Sequence, residues 1–331
     1  MKNNQIGIVG LGYWGTNIIN VLEKFNIKKI YCFDLNYENL AEIKKKFSFI
    51  NKVKSLNELL KIDLDGIIIA TNTSSHFQIA KKCLLANHNI FVEKPVTNSL
   101  KKLKELKKIA KTKNRIIMGG YVYNYNIYIN YIKKILDKKI LGPLKYMSFD
   151  RLNLGPVRND VSCIWDLASH DLSTCYYLLR KKPTIINVYG FDLLKKNIFD
   201  ISKIILKVSN IKVEIKSSWL NPEKIRKLVI VGEKKMLLFN EMDKKNPILI
   251  YDKFASYPKL KKFKKSFFTP KANIYLGKTF APKIKFLSPL DLEIKEFINC
   301  IGKKKKPNTS VDHSIEIMKT LEKIQKNLYR I

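Results

Sequence analysis

The chain has 331 residues, of which 46% are apolar and 27% are charged, and its formal net charge is +35. This composition predicts a globular protein of two domains and excludes a disordered chain. No apolar run reaches the ~18 residues of a membrane span. The first run stops at glycines after Val9, so we expect no signal peptide, no membrane partner and a cytoplasmic protein.

The positive charge does not indicate a nucleic-acid partner. Only six of the 63 basic residues are arginine, the residue that makes bidentate contacts to bases and phosphates. Lysine is spread along nearly every segment, which favours a solvated surface and a field that attracts anionic substrates. The five cysteines are scattered without a Cys-x-x-Cys pair, so we expect reduced thiols and no metal site.

Strands and helices alternate over the first 120 residues. The predicted elements are, in chain order, strand 5–10, helix 16–25, strand 28–34, helix 36–47, strand 67–71, helix 75–86, strand 89–92, helix 98–112 and strand 115–119. The β-branched run at 67–71 is typical of a parallel strand that is buried on both faces. The alternation predicts an α/β fold in which residues 1–120 form a Rossmann domain with a doubly wound parallel sheet.

The pattern changes after Gly120. The predicted elements are helix 126–138, strand 144–151, helix 160–180, strands 185–191, 201–208, 211–219, 226–231, 235–239 and 248–252, a long loop 253–289, and helices 290–301 and 311–329. Apolar and charged residues alternate over 211–216, which predicts a sheet with one wet face. We therefore expect 121–331 to form an α+β domain with an open, mostly antiparallel mixed sheet, its last helix packing back on the Rossmann domain.

The motif GLGYWG, from Gly10 to Gly15, matches the dinucleotide fingerprint. Gly10 permits a tight turn, Gly12 lets the backbone approach a pyrophosphate, and Gly15 allows close packing of helix and strand. Asp34 follows 19 residues after Gly15, at the end of the next strand. An acid at this position binds the ribose hydroxyls and repels a 2′-phosphate. These features predict NAD as cofactor, with NADP less favoured.

Glu93-Lys94-Pro95 ends another predicted strand. Ligands of open parallel sheets bind at the carboxyl ends of strands, so we expect Lys94 to face the cofactor. A proline in this place is compatible with a cis peptide bond.

WDLASHDLS places Asp166 and His170 four residues apart on one predicted helix. A carboxylate beside an imidazole suits proton transfer near neutral pH. The alternatives are a surface ion pair and, less favoured, a metal site that adds Asp171. His88 and His313 have loop-like or terminal surroundings, and we expect both to be surface residues.

In this order and at these distances, the three motifs resemble the Gfo/Idh/MocA family of oxidoreductases. The stretches 67–80, 119–126 and 231–240 agree with the family pattern, as does Asp312 before a long final helix. The resemblance covers essentially the whole chain. It implies a dehydrogenase that transfers a hydride between a nicotinamide and a secondary alcohol of a sugar.

The resemblance implies that Lys94, Asp166 and His170 form the catalytic group, with His170 as general acid and base. With the motifs, it assigns the cofactor to Gly10, Gly12, Tyr13, Trp14, Gly15, Asp34, Thr71, Asn72, His76, Glu93 and Lys94. The expected substrate contacts are Tyr123, Asn124, Arg151, Arg158 and His170. The two arginines bind a phosphate or carboxylate, or are plain surface residues; both readings stay open. Tyr121 and Asn124 stand where many members have histidine and arginine, which leaves the substrate open.

Four functions are compatible with the sequence. The first is oxidation of a nucleotide-activated sugar in surface-polysaccharide biosynthesis, and the second is oxidation of a free polyol or cyclitol such as inositol. The third is a non-catalytic NAD-binding sensor or scaffold. A nucleic-acid binder comes last. The resemblance also implies a homodimer or homotetramer formed through the C-terminal sheet.

Overall fold

The computed structural model describes residues 4–159, 161–256 and 271–330. The chain divides into two compact units, Met1–Asn126 with Leu287–Lys319, and Ile127–Phe286 with Thr320–Ile331. The first unit thus extends six residues beyond the expected boundary and includes 287–319, which the sequence analysis assigned to the second domain. Packing accounts for the difference, because the Gly119 amide donates to the Thr309 carbonyl at 2.8 Å and Phe297 contacts Phe91.

The first unit contains a six-stranded parallel sheet. Its elements are β1 Gln5–Val9, α1 Tyr13–Lys24, β2 Lys29–Phe33, α2 Tyr37–Lys46, β3 Asn51–Lys52, α3 Leu56–Leu59, β4 Gly66–Ile69, α4 Thr73–Leu85, β5 Asn89–Glu93, α5 Leu100–Thr112, β6 Ile117–Gly120 and a 3-10 turn Val122–Tyr125. The strand order β3-β2-β1-β4-β5-β6 confirms the doubly wound sheet. This order reverses between β1 and β4, where such sheets bind their ligands.

The spacing of apolar residues explains how the strands and helices of the first unit pack together. Ile6 and Ile8 in β1 and Ile67–Ile69 in β4 are fully buried, as expected of central parallel strands covered on both faces. Helix α1 buries Ile18 and Leu22 at helical spacing against the sheet. Helix α8 Pro289–Lys303 returns to the same core, and α9 Val311–Lys326 begins in this unit and ends in the other.

The second unit contains a nine-stranded mixed sheet. Its elements are α6 Ile127–Asp137, β7 Leu144–Leu154, a π-helical turn Ile164–Ala168, α7 Ser169–Leu179, β8 Thr184–Phe191, β9 Ile201–Val208, β10 Ile211–Ser218, β11 Leu220–Gly232, β12 Met236–Asn240, β13 Ile248–Ser256, β14 Asn273–Phe280 and β15 Leu328–Arg330. The order is β14-β13-β12-β11-β7-β10-β9-β8-β15. Only the pairs β10–β7 and β15–β8 are parallel among these described strands, which confirms a mostly antiparallel mixed sheet.

Two predicted elements differ from the structure. The helix predicted over 160–180 begins as the π-helical turn at Ile164, and Asp160 lies outside the described residues. The long loop predicted over 253–289 contains β14, which pairs antiparallel with β13. Aromatic pairing between Phe254 and Tyr275, 5.1 Å between ring centroids, joins these strands without the alternation that marks a half-buried strand. Residues 257–270 of that loop lie outside the described part of the chain. Among the described helices, none has the length and hydrophobicity needed to span a membrane.

Candidate functional site

The glycine loop after β1 has the shape that its three glycines allow. Gly10 has a φ of +94°, and a Cβ there would lie 2.8 Å from the Ala70 carbonyl carbon. A Cβ on Gly15 would lie 2.1 Å from the Gly10 carbonyl oxygen, so the first turn of α1 packs directly on the loop. By contrast, a Cβ on Gly12 would meet no described atom within 4 Å. The backbone at Gly12 is therefore open to a ligand.

Asp34 links the end of β2 to this loop. Its Oδ2 accepts a hydrogen bond from the Leu11 amide at 2.6 Å, and its Oδ1 accepts one from the Asn36 amide at 2.7 Å. A carboxylate has about four lone-pair sites. Two of them hold Asp34 in place, and the others remain for hydroxyl donors.

A groove of about 780 Å³ opens beside the loop. The predicted cofactor residues that line it are Gly10, Gly12, Asp34, Thr71 and Asn72. Val9, Phe33 and Ile79 add apolar walls. A concave site with apolar walls and a few convergent polar groups is what a cofactor requires. The residues therefore fit a dinucleotide, with the α1 N-terminus available to its phosphates.

Tyr13 and Trp14 occupy the first turn of α1 and face solvent. Their side chains are 77% and 41% exposed, and the rings meet edge to face with centroids 5.6 Å apart. Neither residue lines the groove. Their predicted cofactor contact stays a prediction.

His76 has a position different from the predicted cofactor contact. Its side chain is 1% exposed and does not line the groove. The Nε2 atom lies 2.9 Å from the Thr71 carbonyl oxygen, and Nδ1 lies 2.9 Å from the Pro95 carbonyl oxygen. Burial lowers its pKa. His76 joins the loops that follow β4 and β5, because its ring reaches a carbonyl in each.

Glu93 and Lys94 lie at the carboxyl end of β5, and the Lys94–Pro95 peptide bond is cis. The Lys94 amide donates to Glu93 Oε2 at 3.2 Å. Burial raises the pKa of Glu93 to about 7, opposed by this hydrogen bond and by the charge of Lys94. Sequence analysis missed Glu293 of α8, which is fully buried and interacts with Glu93. A charged residue on the apolar face of a predicted helix was the available signal.

Asn124 is also not where the sequence placed it. The side chain is 3% exposed, and its Nδ2 lies 3.2 Å from Nε2 of His313. His313, expected at the surface, is buried, and burial lowers its pKa to about 4. Asn124 therefore contacts the interior of its own unit, whereas Tyr123 is half-buried.

His88, like His313, was expected at the surface and is buried. It is 5% exposed, and its two ring nitrogens lie 3.3 Å and 3.2 Å from the carbonyl oxygens of Leu64 and Leu60. The two histidines expected at the surface are thus buried, His88 beside backbone carbonyls and His313 beside the Asn124 side chain.

In the second unit, Asp166 lies in the π-helical turn and His170 in the first turn of α7. Oδ2 of Asp166 accepts a hydrogen bond from the Trp219 indole at 3.3 Å, and Oδ1 lies 3.8 Å from the Arg158 guanidinium. Single π turns inside helices occur frequently at functional sites. The turn therefore places a held carboxylate one helical turn before the imidazole.

Arg151, predicted to contact substrate, is instead paired with a residue of the protein. Its Nε donates to Asp171 Oδ2 at 2.9 Å and its Nη2 to Asp171 Oδ1 at 2.7 Å, with both side chains buried. The bidentate pair joins β7 to α7. Because this fork is occupied, the substrate role predicted for Arg151 gives way to a structural one. Arg158, whose side chain is 40% exposed, remains a candidate substrate contact.

Comparison with known proteins shows which family the first unit is similar to. Residues 4–121 match the Gfo/Idh/MocA model, described as an oxidoreductase family with an NAD-binding Rossmann fold. UDP-N-acetylglucosamine 3-dehydrogenase of Acidithiobacillus ferrooxidans is 25% identical over 57% of this chain and 59% of that protein. Myo-inositol 2-dehydrogenase of Thermotoga maritima is 20% identical over 59% and 60%. The chain is thus matched over about six-tenths of the length of each of these two relatives.

Solved structures share the fold along nearly the whole chain. The structure of the Acidithiobacillus ferrooxidans UDP-N-acetylglucosamine 3-dehydrogenase has a TM-score of 0.82 at 18% identity, covering 99% of this chain and 98% of that one. A protein from gentamicin A biosynthesis, solved in complex with NAD, has a TM-score of 0.80 at 14% identity, covering 99% of this chain and 94% of that one. Residues 4–121, which contain the glycine loop and the parallel sheet, are thus similar to the Gfo/Idh/MocA family of oxidoreductases, described as having an NAD-binding Rossmann fold.

Proposed function

We propose that the protein is an NAD-dependent dehydrogenase of a secondary alcohol on a sugar, specifically on a nucleotide-activated sugar. The observation that carries the proposal is the groove at the glycine loop, where Gly12 leaves open space and Asp34 lines the wall. The matches to a nucleotide-sugar dehydrogenase and to an inositol dehydrogenase support an alcohol of this class. When bound, NAD supplies the nicotinamide that accepts or donates the hydride.

The residues of the groove hold the dinucleotide in this proposal. The open backbone at Gly12 and the amides of the first turn of α1 bind the pyrophosphate. The lone pairs of Asp34 that the Leu11 and Asn36 amides leave free accept the ribose hydroxyls. Because the carboxylate is held in place, its charge disfavours a 2′-phosphate, and NAD binds more tightly than NADP.

Lys94 and His170 act on the alcohol. Lys94 orients and polarises the hydroxyl oxygen, and the link from its amide to Glu93 fixes its backbone. His170 accepts the hydroxyl proton, and returns it when the reaction runs in reverse. Asp166, held by Trp219 and Arg158, gives the imidazole a fixed negative neighbour. Arg158 binds the anionic part of the substrate.

A free cyclitol is the second candidate, favoured by two observations. One relative is named for myo-inositol. Moreover, the bidentate engagement of Arg151 with Asp171 leaves one fewer arginine for a substrate phosphate. Substitution of Arg158 by Gln separates the candidates, because it raises KM for a nucleotide sugar and leaves KM for inositol near its original value.

The proposal is tested by fluorescence titration with NADH and NADPH. We expect saturable NADH binding, tighter than NADPH binding. Asp34→Ala should weaken NADH binding by about tenfold, the equivalent of one hydrogen bond to a charged group. Asp63→Ala is the matched control, since Asp63 is exposed and lies outside the groove. Absence of NADH binding at millimolar concentration would refute the proposal, whereas binding without turnover of any sugar or cyclitol would support a sensor or scaffold.

A further inference from the structure

Glu293 of α8 is a buried carboxyl group that the proposed reaction does not use. It is 0% exposed, and neither of its carboxyl oxygens has a hydrogen-bond partner among the described residues. An isolated carboxylate is too costly to bury, so such a group holds a proton or shares one.

The packing of α8 on β5 brings Glu293 over Glu93. Phe91 and Glu93 lie two residues apart on β5 and therefore point to the same face. Glu293 and Phe297 lie four residues apart on α8 and therefore share one helix face. The rings of Phe91 and Phe297 meet edge to face with centroids 5.8 Å apart. Next to this Phe91–Phe297 contact, on the same two faces of β5 and α8, lie Glu93 and Glu293.

The sheet leaves room for this pair. Gly120 of β6 is the strand partner of Glu93, and a Cβ on Gly120 would lie 3.0 Å from Glu93 Oε2. The absence of a side chain at Gly120 lets the Glu93 carboxyl occupy the space above the neighbouring strand.

Few other ionisable groups face the two carboxyls. Lys94 follows β5 and donates its amide to Glu93. Tyr125 belongs to the 3-10 turn beside Glu293, and burial raises its pKa. Its hydroxyl meets Thr309 Oγ1 at 3.0 Å. Glu296 of α8 adds a weaker effect on Tyr125. Lys94 is thus the only cation that these described interactions bring to the pair.

We propose that Glu93 and Glu293 hold one proton between them, Glu293 as the carboxylic acid that donates to the Glu93 carboxylate, and that this pair positions Lys94. The pair carries a single negative charge, which serves as the fixed counter-charge of Lys94. Burial raises the pKa of Glu293 well above its ordinary value, and the charge of Glu93 raises it further. The Lys94 amide and charge act on Glu93 in the opposite direction, which makes Glu93 the partner that ionises. The positioning of Lys94 rests on the proposed function, whereas the shared proton does not.

The shared proton is tested by infrared spectroscopy of the ligand-free full chain with carbon-13-labelled glutamate carboxyls. At about pH 8 ordinary glutamates, with pKa values near 4.3, are ionised. We expect one isotope-sensitive carboxylic-acid band to remain in the wild type at that pH. Glu293→Gln should abolish this band, and Glu23→Gln, which changes an exposed glutamate of α1, should keep it. No band in the wild type, or a band that persists in Glu293→Gln, overturns the proposal. Because this experiment needs neither NADH nor substrate, its failure is distinct from failure of the proposed function.

A second pair of variants tests the positioning role. Glutamine at position 293 still donates a hydrogen bond to Glu93, whereas leucine fills the space without donating one. In Glu293→Leu we expect the infrared titration of Glu93 to move to higher pH than in the wild type. The acidic limb of kcat/KM should move with it. In Glu293→Gln both should stay near or below the wild-type position. An equal shift in the two variants, or no shift in either, overturns the positioning role.

Discussion

The glycine loop of the first unit and the π-helical turn of the second are built in different ways. At the glycine loop, the backbone does most of the shaping: Gly10 and Gly15 admit close contacts with carbonyl groups, and Gly12 leaves space. At the π-helical turn, side chains from distant parts of the chain hold this region: Trp219, between β10 and β11, donates to Asp166, and Arg151 of β7 is paired with Asp171, next to His170.

This difference determines how each region should respond to substitution. A change at the loop acts through steric overlap of a few atoms, so its effect depends on the space at that position. A change at the π-helical turn or in α7 removes one member of a charged or proton-transferring set, and its partners are left behind. The second kind of change therefore has the larger expected effect.

The largest expected effect is that of His170→Ala on turnover. General acid–base catalysis contributes about 10²–10⁴ in rate, so kcat/KM should fall by roughly that factor, with NADH binding retained. Steady-state kinetics on the sugar identified by screening measures the loss. Lys181→Ala, an exposed lysine just after α7, is the control. An unchanged rate in His170→Ala would remove His170 from the mechanism.

Breaking the Arg151–Asp171 pair should be the largest effect on stability. Arg151→Met leaves the Asp171 carboxylate buried without its bidentate partner, which costs about 3–5 kcal/mol of unfolding free energy. Urea unfolding followed by circular dichroism gives this value. Replacing both residues, in Arg151→Met/Asp171→Leu, should recover most of the loss, since no uncompensated charge remains. A loss below about 1 kcal/mol in the single variant would show that water reaches the pair.

His313 should make the first unit sensitive to acid. Its pKa is lowered from 6.5 to about 4 in the folded protein. Between these two pH values, His313 therefore binds a proton in the unfolded chain but not in the folded one. The contribution of the neutral imidazole to the free energy of unfolding is fully present above about pH 6.5. It is lost as the pH falls towards 4, and the total loss is about 3 kcal/mol.

The corresponding variant is His313→Gln, which keeps an acceptor for Asn124 and cannot titrate. Its unfolding free energy should fall less than that of the wild type between about pH 6.5 and 4. Glu93 has a raised pKa, so its contribution to the free energy of unfolding changes with pH in the opposite direction. The quantity to compare is therefore the difference in unfolding free energy between variant and wild type. Parallel pH curves for the two proteins would contradict the buried neutral imidazole.

The smallest effects separate the two kinds of glycine in the loop. Gly15→Ala places a methyl group against the Gly10 carbonyl and should lower the unfolding free energy by about 1–3 kcal/mol, as overpacking does. Gly12→Ala has open space and should leave the melting temperature unchanged while it weakens NADH binding. Calorimetry and NADH titration of both variants give the comparison. Normal NADH binding by Gly12→Ala would place the pyrophosphate elsewhere.

Sequence patterns predicted the frame of both units. The buried run at 67–71 became β4, and the alternation over 211–216 became the half-buried strand β10. The edge strand β14 was missed because it is exposed on both faces and so has no alternation to detect. The π-helical turn was read as ordinary helix, since both patterns repeat at nearly the same spacing over a single turn.

The polar side chains were predicted less well, for one physical reason. The local sequence around His76, His88 and His313 does not indicate which polar group will face each ring after folding. Arg151 and Asn124 likewise found protein partners where substrate was expected. The roles of Lys94, Asp166 and His170 remain predictions, of which the Glu293 variants test the first and His170→Ala the last.

By itself, the sequence determined the order of strands and helices, the glycine loop and the acid at the end of β2. These depend on φ freedom and on apolar spacing within a few residues, which any local stretch of chain carries. The tertiary structure alone decided which polar groups face the groove and which face each other. Arg151 and Asp171 are 20 residues apart, Asn124 and His313 are 189 apart, and Glu93 meets Glu293 only through the packing of α8 on β5. Burial and pairing at such separations arise only when the core has formed.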